Sequence, residues 1–307
     1  MSKKITVVGS LNMDLVITTP KIPQIGETLL GSGFMTAPGG KGANQAVAAA
    51  KLGGEVTMLG CVGDDLFGRD LVANLSSHGV DVSRIEVAGD TPTGIAVILI
   101  KDGNNCIIVD PGANSSLTAE RVAFSRSVIE DSALLLVQLE IPLESVQAAI
   151  YLAKRQGVKV ILNPAPARVL DDQMLKMVDI LTPNESECEL MTGIRPDSEE
   201  SAREAIHYLK AKGIPRIIIT LGSKGVVYNS GEHIIHKPVP KVEAVDTTAA
   251  GDSFSGALAV ALSEGKTIDE AVDFANSVGT LTVMKQGAQS SLPTLEEVLA
   301  FTNRQKP

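Results

Sequence analysis

Residues 134–162 read LLLVQLEIPLESVQAAIYLAKRQGVKVIL and contain a complete strand–helix–strand unit. Both ends of this stretch, 134–139 and 158–162, are short apolar runs, which is typical of strands that are buried on both faces. Between them, residues 143–156 have the hydrophobic spacing of an amphipathic helix. Strands joined through a helix in this way run parallel. The stretch therefore predicts a parallel α/β sheet.

The same alternation continues along most of the chain. Further strand candidates are 5–9, 56–59, 180–181, 217–220 and a β segment from 226 to 245; further helix candidates are 41–52, 65–77, 185–192, 199–212, 250–264, 268–283 and 294–303. This order predicts the α/β fold class, with a doubly wound, mainly parallel central sheet flanked by helices. Ligands of such folds bind at the carboxyl ends of the strands.

Two segments interrupt the alternation. Residues 14–36 and 93–109 contain β-type runs and turn residues, including the hairpin turn Asp102-Gly103-Asn104, and neither has room for a helix. They predict either a small β-sheet lid over one end of the main domain or edge hairpins without a ligand role. With the lid, the domains are an α/β domain of 1–13, 37–92 and 110–307 and a lid of 14–36 and 93–109.

Composition excludes several classes of partner. The 307 residues include 27 basic and 36 acidic side chains, a net charge of −9, and the aromatic content is 3% with no Trp. We therefore expect no nucleic-acid partner, although a small anion can still bind at a helix start. No apolar run is long enough to span a membrane, so we expect no membrane partner. The odd count of three cysteines favours the reducing cytoplasm.

Several common motifs are absent or incomplete. No G-x-x-x-x-G-K-[ST] loop occurs, and no G-x-G-x-x-G follows the first strand, which disfavours a P-loop enzyme and a dinucleotide-dependent redox enzyme. Residues 251–255 resemble a nucleophile elbow, but Ser255 stands where that motif requires Gly. His233 and His236 would point to opposite faces of a strand, so they do not predict a metal site.

The most informative segment is Asp246-Thr-Thr-Ala-Ala-Gly-Asp252, between a β segment and a helix of small residues. The backbone N–H groups of Ala249, Ala250 and Gly251 would form an anion hole for a transferring phosphoryl group. A carboxylate beside bound phosphate is repulsive unless it serves the chemistry. Asp252 is therefore either a general base or, in the structural interpretation, a helix N-cap.

A second polar group combines the start of the helix at 41–52 with residues after the first strand. Lys41 and Asn44 are three residues apart and share a helix face, next to Gly40. Asn12 and Asp14 add groups that can hold the vicinal hydroxyls of a sugar. The alternative is a tight turn followed by a capped helix.

Two further segments can serve a nucleotide. Residues 220–225 (TLGSKG) offer backbone N–H groups for phosphates, a weak signal when taken alone. Asn184 and Glu187 have the spacing of a capping box, which gives them a purely structural alternative.

Together, these segments resemble the ribokinase branch of the phosphofructokinase-B carbohydrate kinase family. The resemblance extends from Ile5 to beyond Pro293, with the motifs in family order: NMD at 12–14, GGKGANQAVAAAKLG from Gly39, QLE at 138–140, NPAPA at 163–167, TPNE at 182–185 and AQ at 288–289. Ala249 replaces the Gly of the broad family, which supports the ribokinase branch, and Asn276 stands where that branch often has His.

The resemblance implies ATP-dependent phosphorylation of D-ribose at its 5-hydroxyl, with Asp252 as base and 249–251 as anion hole. It implies sugar binding by Asn12, Asp14, Gly40, Lys41, Asn44, Glu140 and Asp252. It implies ATP binding by Asn184, Glu187, Thr220, Leu221, Gly222, Ser223, Lys224, Gly225, Gly251 and Asn276. Glu187 would organise Mg²⁺ through water.

Two further features follow from the resemblance alone. A K⁺ site would use mainly backbone oxygens of Asp246, Thr248, Thr282, Lys285, Gly287 and Ser291. A homodimer would form through the lid sheet. Kinases for 2-deoxyribose, fructose or a nucleoside, and a non-catalytic sugar sensor, remain alternatives.

Overall fold

The computed structural model describes residues 3–102 and 104–304. Within them, the strands are β1 Ile5–Val8, β2 Asn12–Thr18, β3 Ser32–Gly39, β4 Val56–Gly63, β5 Asp81–Ala88, β6 Gly94–Lys101, β7 Asn104–Asp110, β8 Leu134–Val137, β9 Lys159–Leu162, β10 Ile180–Leu181, β11 Arg216–Thr220, β12 Val226–Ser230 and β13 His233–Lys237. The helices are α1 Lys41–Lys51, α2 Leu66–Ser77, α3 Ala119–Phe124, α4 Arg126–Glu130, α5 Leu143–Arg155, α6 Asp172–Leu175, α7 Glu185–Thr192, α8 Glu199–Ala211, α9 Ala250–Ser263, α10 Ile268–Thr282 and α11 Leu295–Arg304.

The main sheet has the strand order β13-β12-β11-β10-β9-β8-β1-β4-β5. All neighbours from β5 to β11 pair in parallel, and β12 and β13 add an antiparallel edge. Alternate residues of β8 enter different cores: Leu134 and Leu136 pack on one face of the sheet, Leu135 and Val137 on the other. This burial on both faces explains the unbroken apolar run, and the predicted doubly wound fold is confirmed.

A second sheet has the order β3-β2-β6-β7. Its central strands β2 and β6 are parallel, and each pairs with an antiparallel edge strand. The predicted hairpin turn joins β6 to β7, but Gly103 at its centre lies outside the described residues. Strand β2 begins at Asn12. Asn12 and Asp14 therefore belong to the small sheet, and the division into domain and lid stays a prediction.

The structure departs from the sequence-based elements in several places, including β4, which runs on to Gly63 instead of ending at residue 59. Strand β5 was not predicted, because its Asp81, Arg84 and Glu86 interrupt the apolar pattern at an edge position. Strand β8 ends at Val137, two residues early. The β segment predicted through residue 245 ends at Lys237, since Pro238 and Pro240 cannot donate to a sheet. The short helices α3, α4 and α6 were also missed, and none of the described helices is suited to cross a bilayer.

Candidate active site

Polar side chains collect where the parallel strands end. Glu140 follows β8, Asn163 follows β9, Thr182 follows β10 and Thr220 ends β11. Asn163, Thr182 and Thr220 line a cavity of about 200 Å³, together with Lys41, Ala165, Asn184, Glu187, Thr247, Ala249, Ala250, Gly251, Asp252, Phe254 and Ser255. The cavity therefore lies at the sheet edge where α/β folds bind ligands.

Asp252 lies in the first turn of α9 and is only 7% exposed. Its Oδ2 accepts a hydrogen bond from Asn44 Nδ2 at 3.0 Å, and its Oδ1 accepts one from Gln45 Nε2 at 3.0 Å. Both donors come from α1. The N-cap of α9 is Ala249, which has no side-chain cap, so the N-cap interpretation of Asp252 is wrong.

The predicted anion hole is only partly free. Ala249 adopts a left-handed conformation, with φ 60°, and α9 starts at Ala250. The N–H of Ala250 donates to the carbonyl of Thr247 at 3.3 Å, so the prediction of three free amides is corrected at this position. Within residues 3–102 and 104–304, the amides of Ala249 and Gly251 have no partner, and both residues line the cavity. These N–H groups remain available to an anion.

Of the predicted sugar residues, Lys41 and Asp252 line the cavity; Asn12, Asp14, Gly40, Asn44 and Glu140 are not among its lining residues. Glu140 Oε2 accepts from Ser10 Oγ at 2.5 Å and from the backbone N–H of Lys41 at 3.1 Å. Burial lowers the pKa of Lys41, but nearby carboxylates, first that of Asp252, outweigh this and leave the pKa above its usual value. The Lys41 ammonium is therefore charged at physiological pH.

Asp14 is buried beside two other carboxylates. Burial, and then the negative charges of Glu140 and Asp252, raise its pKa to about 7. Gly39 is required opposite, because a Cβ at that position would overlap the Asp14 carboxylate. A buried carboxyl group without a cationic partner suits a ligand that brings its own hydroxyl donors.

Asn12 is positioned by a residue that the sequence did not reveal. Asn114 Nδ2 donates to Asn12 Oδ1 at 2.7 Å, and Asn114 also exchanges hydrogen bonds with the backbone of Leu11 at 2.9 and 3.0 Å. The Asn12 amide nitrogen has no partner in the described part of the chain. It is therefore free to donate to a ligand.

On the other side of the cavity, Asn184 and Glu187 form a capping box. Both carboxylate oxygens of Glu187 accept from Asn184, from its backbone N–H and its side chain, each at 2.9 Å. Burial raises the pKa of Glu187, more than the Asn184 hydrogen bond and Lys41 lower it. With its oxygens used in this way, Glu187 fits a water-mediated contact to Mg²⁺ better than direct ligation.

The segment 220–225 offers fewer N–H groups than predicted. The amides of Thr220, Leu221, Lys224 and Gly225 donate to backbone carbonyls within and beside the turn, whereas the described bonds leave those of Gly222 and Ser223 free. The Lys224 ammonium donates to the carbonyl of Asp197 at 3.1 Å. Asn276 is buried on α10 and does not line the cavity.

The residues of the predicted cation site lie in two adjacent segments. Asp246 accepts from the backbone N–H of Thr248 and from that of Gly287, both at 2.9 Å. Burial acts to raise the pKa of Asp246, but these bonds lower it below its ordinary value. The Thr282 and Ser291 hydroxyls donate to carbonyls, and Lys285 pairs with Glu297. The carbonyls of Thr248, Lys285 and Gly287 accept no hydrogen bond in the described chain, which suits a monovalent cation.

Sequence reasoning missed a set of buried side-chain amides behind Asp252. They are Gln45, Gln138, Asn163 and Gln289. All four lie in motifs that carried the family resemblance, but their spacing along the chain gave no sign of mutual contact.

An α/β sheet whose carboxyl edge combines a helix start with free amides, a buried carboxylate and a lysine is the arrangement expected of a phosphoryl-transfer enzyme. The sequence profile described as pfkB family carbohydrate kinase matches residues 2–295. The chain belongs to the pfkB family of carbohydrate kinases.

Known members of the family are similar over nearly the whole chain. Ribokinase of Haemophilus influenzae is 46% identical, covering 98% of this chain and 99% of the relative. Deoxyribokinase of Salmonella typhi is 39% identical, over 95% and 96%. Among solved structures, Arabidopsis thaliana ribokinase complexed with ribose and ATP has a TM-score of 0.92 at 33% identity, covering 98% of this chain and 99% of that chain.

Proposed function

We propose that this kinase transfers the γ-phosphoryl group of ATP to the 5-hydroxyl of D-ribose, giving D-ribose 5-phosphate and ADP. The observation that carries the proposal is the buried Asp252 carboxylate beside the free amides of Ala249 and Gly251. The similar ribokinase structure with ribose and ATP supports the choice of both substrates.

In the proposed reaction, Asp252 accepts the proton of the 5-hydroxyl as its oxygen forms a bond to the γ-phosphorus. The bond from the γ-phosphorus to the β,γ-bridging oxygen breaks, and ADP leaves with that electron pair. The N–H groups of Ala249 and Gly251 and the positive end of α9 stabilise the charge on the transferring group. Lys41, which remains protonated, adds a positive charge at the cavity.

The sugar is held by groups from both sheets. On β2, Asn12 lies against Gly40 and Asp14 lies against Gly39, and Lys41, Asn44 and Glu140 complete the set. Because β2 belongs to the small sheet, closure of that sheet would bring two sugar contacts and exclude water together. This supports the lid interpretation over an edge hairpin.

We place the ATP phosphates between the start of α9 and residues 220–225, with Gly222 and Ser223 as the amide donors. Asn184 and Thr220 lie on the intervening cavity wall. The chemistry that Mg²⁺ supplies in such sites is neutralisation of phosphate charge. Glu187 would bind water molecules that surround Mg²⁺. Asn276 does not line the cavity, so it would contact the adenine of ATP from outside that lining.

The carbonyls of Thr248, Lys285 and Gly287 and the carboxylate of Asp246 would hold a K⁺ ion. In this chain, hydrogen bonds from Thr248 and Gly287 to Asp246 hold the turn at 246–248, which directly precedes the anion hole. Replacing K⁺ by Na⁺ in the assay is expected to lower kcat more than it raises KM for the sugar. Equal rates in both salts would remove this part of the proposal.

The cytoplasmic location stays a prediction, with which the free Cys61, Cys106 and Cys188 agree.

The test is ADP release on addition of single sugars to the enzyme with ATP and Mg²⁺. We expect D-ribose to give the highest kcat/KM, with the phosphate on O5 by ³¹P–¹H correlation. The similarity to a deoxyribokinase makes 2-deoxyribose the second candidate, and direct competition between the two sugars ranks them. Ribose binding without ADP release would instead indicate a sensor.

A further inference from the structure

Two chains of amide side chains, all buried except the half-exposed Asn74, end on the Asp252 carboxylate. In the first, Gln138 Nε2 donates to Gln45 Oε1 at 2.6 Å, and Gln45 Nε2 donates to Asp252 Oδ1 at 3.0 Å. Gln45 and Gln138 are both 0% exposed. Gln45 also donates to Asn163 Oδ1 at 3.1 Å, so both of its N–H bonds are used.

The second chain approaches the other carboxylate oxygen. Asn74 Nδ2 donates to Gln289 Oε1 at 2.6 Å, Gln289 Nε2 donates to Asn44 Oδ1 at 3.1 Å, and Asn44 Nδ2 donates to Asp252 Oδ2 at 3.0 Å. Every amide in both chains therefore donates towards Asp252. The Asp252 carboxylate accepts one hydrogen bond on each oxygen and is the common acceptor at the end of both chains.

The direction of the first chain leaves one atom without a partner. Gln138 Oε1 is buried and has no hydrogen bond within the described residues. Rotating the Gln138 amide would not satisfy this oxygen, because the rotation would place it against Gln45 Oε1, which is also an acceptor. Rotating Gln45 as well would place a carbonyl oxygen against the Asp252 carboxylate. The orphaned acceptor thus shows that the carboxylate sets the orientation of the whole chain.

We propose that Gln45 is a positioning residue for the base: it holds the Asp252 carboxylate in place, and Gln138 holds Gln45 in turn. Gln45 does not line the cavity, so it acts through Asp252 and not on the substrate. This inference rests on the proposed function, because it assumes that Asp252 is the base.

The first test replaces Gln45 by Leu, which removes both donors at similar size. We expect kcat to fall about tenfold to a hundredfold, the range for loss of one hydrogen bond to a charged group, with the Kd for ribose within threefold of wild type. Asn229→Leu is the matched control. Asn229 is a buried amide that bonds Ile217 N and Pro215 O where β11 begins, away from the cavity. It should lower the unfolding midpoint but leave kcat unchanged.

The second test is Gln45→Glu, which keeps the shape but puts a second carboxyl group about 3 Å from Asp252. Two carboxylates at that distance cannot both ionise near neutral pH. We expect the acidic limb of the kcat–pH profile to move to higher pH by about one unit or more, with activity recovering in alkali. A merely structural defect would scale the profile without moving it.

An unmoved profile in Gln45→Glu together with wild-type kcat in Gln45→Leu would overturn the positioning role. Should the Leu variant not fold, the pH profile of the isosteric Glu variant alone decides. The Asp252→Asn variant is measured beside them. If that variant is inactive while both Gln45 variants behave as wild type, the inference fails and the proposed function stands; if it retains full ribose-dependent turnover, Asp252 is not the base and the inference fails with that assignment.

Discussion

At the scale of single residues, Asp14 has the most unusual environment in the proposed sugar site. Its pKa of about 7 arises chiefly from burial and then from the charges of Glu140 and Asp252. The carboxylate form is the one that accepts hydrogen bonds from sugar hydroxyls on both oxygens. The sugar affinity should therefore depend on pH in the neutral range.

We expect KM for ribose to rise as pH falls below about 7, approaching tenfold per pH unit, because the protonated Asp14 binds the sugar poorly. Measuring KM from acidic to mildly alkaline pH tests this. In Asp14→Asn, KM should be high and should lose this pH dependence. A wild-type KM that stays flat across neutrality would contradict the assigned role.

The same residue should make the ligand-free protein less stable. A carboxyl group whose pKa is raised on folding stabilises the fold below its unfolded pKa, and that contribution is lost as pH rises through about 7. Asp14→Asn should accordingly raise the thermal midpoint, more at pH 8 than at pH 5, while weakening ribose binding. A lower midpoint at pH 8 would show that Asp14 stabilises the empty site.

At the scale of secondary-structure elements, the entry into α1 depends on a backbone conformation that only glycine adopts easily. Gly40 has φ 88°, and a Cβ there would lie 2.7 Å from the backbone nitrogen of Asn12. The turn therefore brings the start of α1 directly against the start of β2, where the proposed sugar groups lie.

Gly40→Ala is expected to lower the free energy of unfolding by more than the roughly 1 kcal/mol of a left-handed alanine alone, and to weaken ribose binding. Gly79→Ala is the matched control, because Gly79 has φ 80° but nothing within 4 Å of its added Cβ. Urea unfolding of both variants and ribose titration give the comparison. If Gly40→Ala and Gly79→Ala lost equal free energy of unfolding, the close contact between residue 40 and Asn12 would not contribute to the loss.

The elements predicted correctly are those whose physical signature is local. Strand β8 is apolar on both faces, and α7 begins at a capping box readable as Asn184 and Glu187. The half-exposed strand β5 lacks such a signature. The amide chains have none at all, since Gln45 and Gln138 are 93 positions apart and Asn44 and Asp252 are 208 apart. Only the folded sheet brings these side chains together.

At the scale of the whole molecule, the small sheet presents apolar side chains to solvent on its two edge strands. On β7, Ile107, Ile108 and Val109 are exposed, and on β3 so are Phe34 and Met35. Exposed apolar edge strands favour pairing with another chain. A second copy of this chain, joined through these edges, is the partner we propose.

Ile108→Asp should shift the protein towards monomer in sedimentation-velocity runs over a range of concentrations, because it buries a charge in the proposed interface. Phe124→Asp serves as control, since Phe124 is also exposed but lies on α3, outside the small sheet. A wild-type protein that is monomeric at all concentrations would contradict the proposed homodimer.

The central claim is that Asp252 acts as the general base of a ribose kinase, and Asp252→Asn tests it most directly. The variant keeps the size of the side chain but cannot accept the hydroxyl proton. Calorimetric titration with ribose and the rate of ribose-dependent ADP release are measured on the same preparation. The account predicts ribose binding within severalfold of wild type and kcat reduced by about a hundredfold or more. Ribose binding retained with near-normal kcat would contradict it.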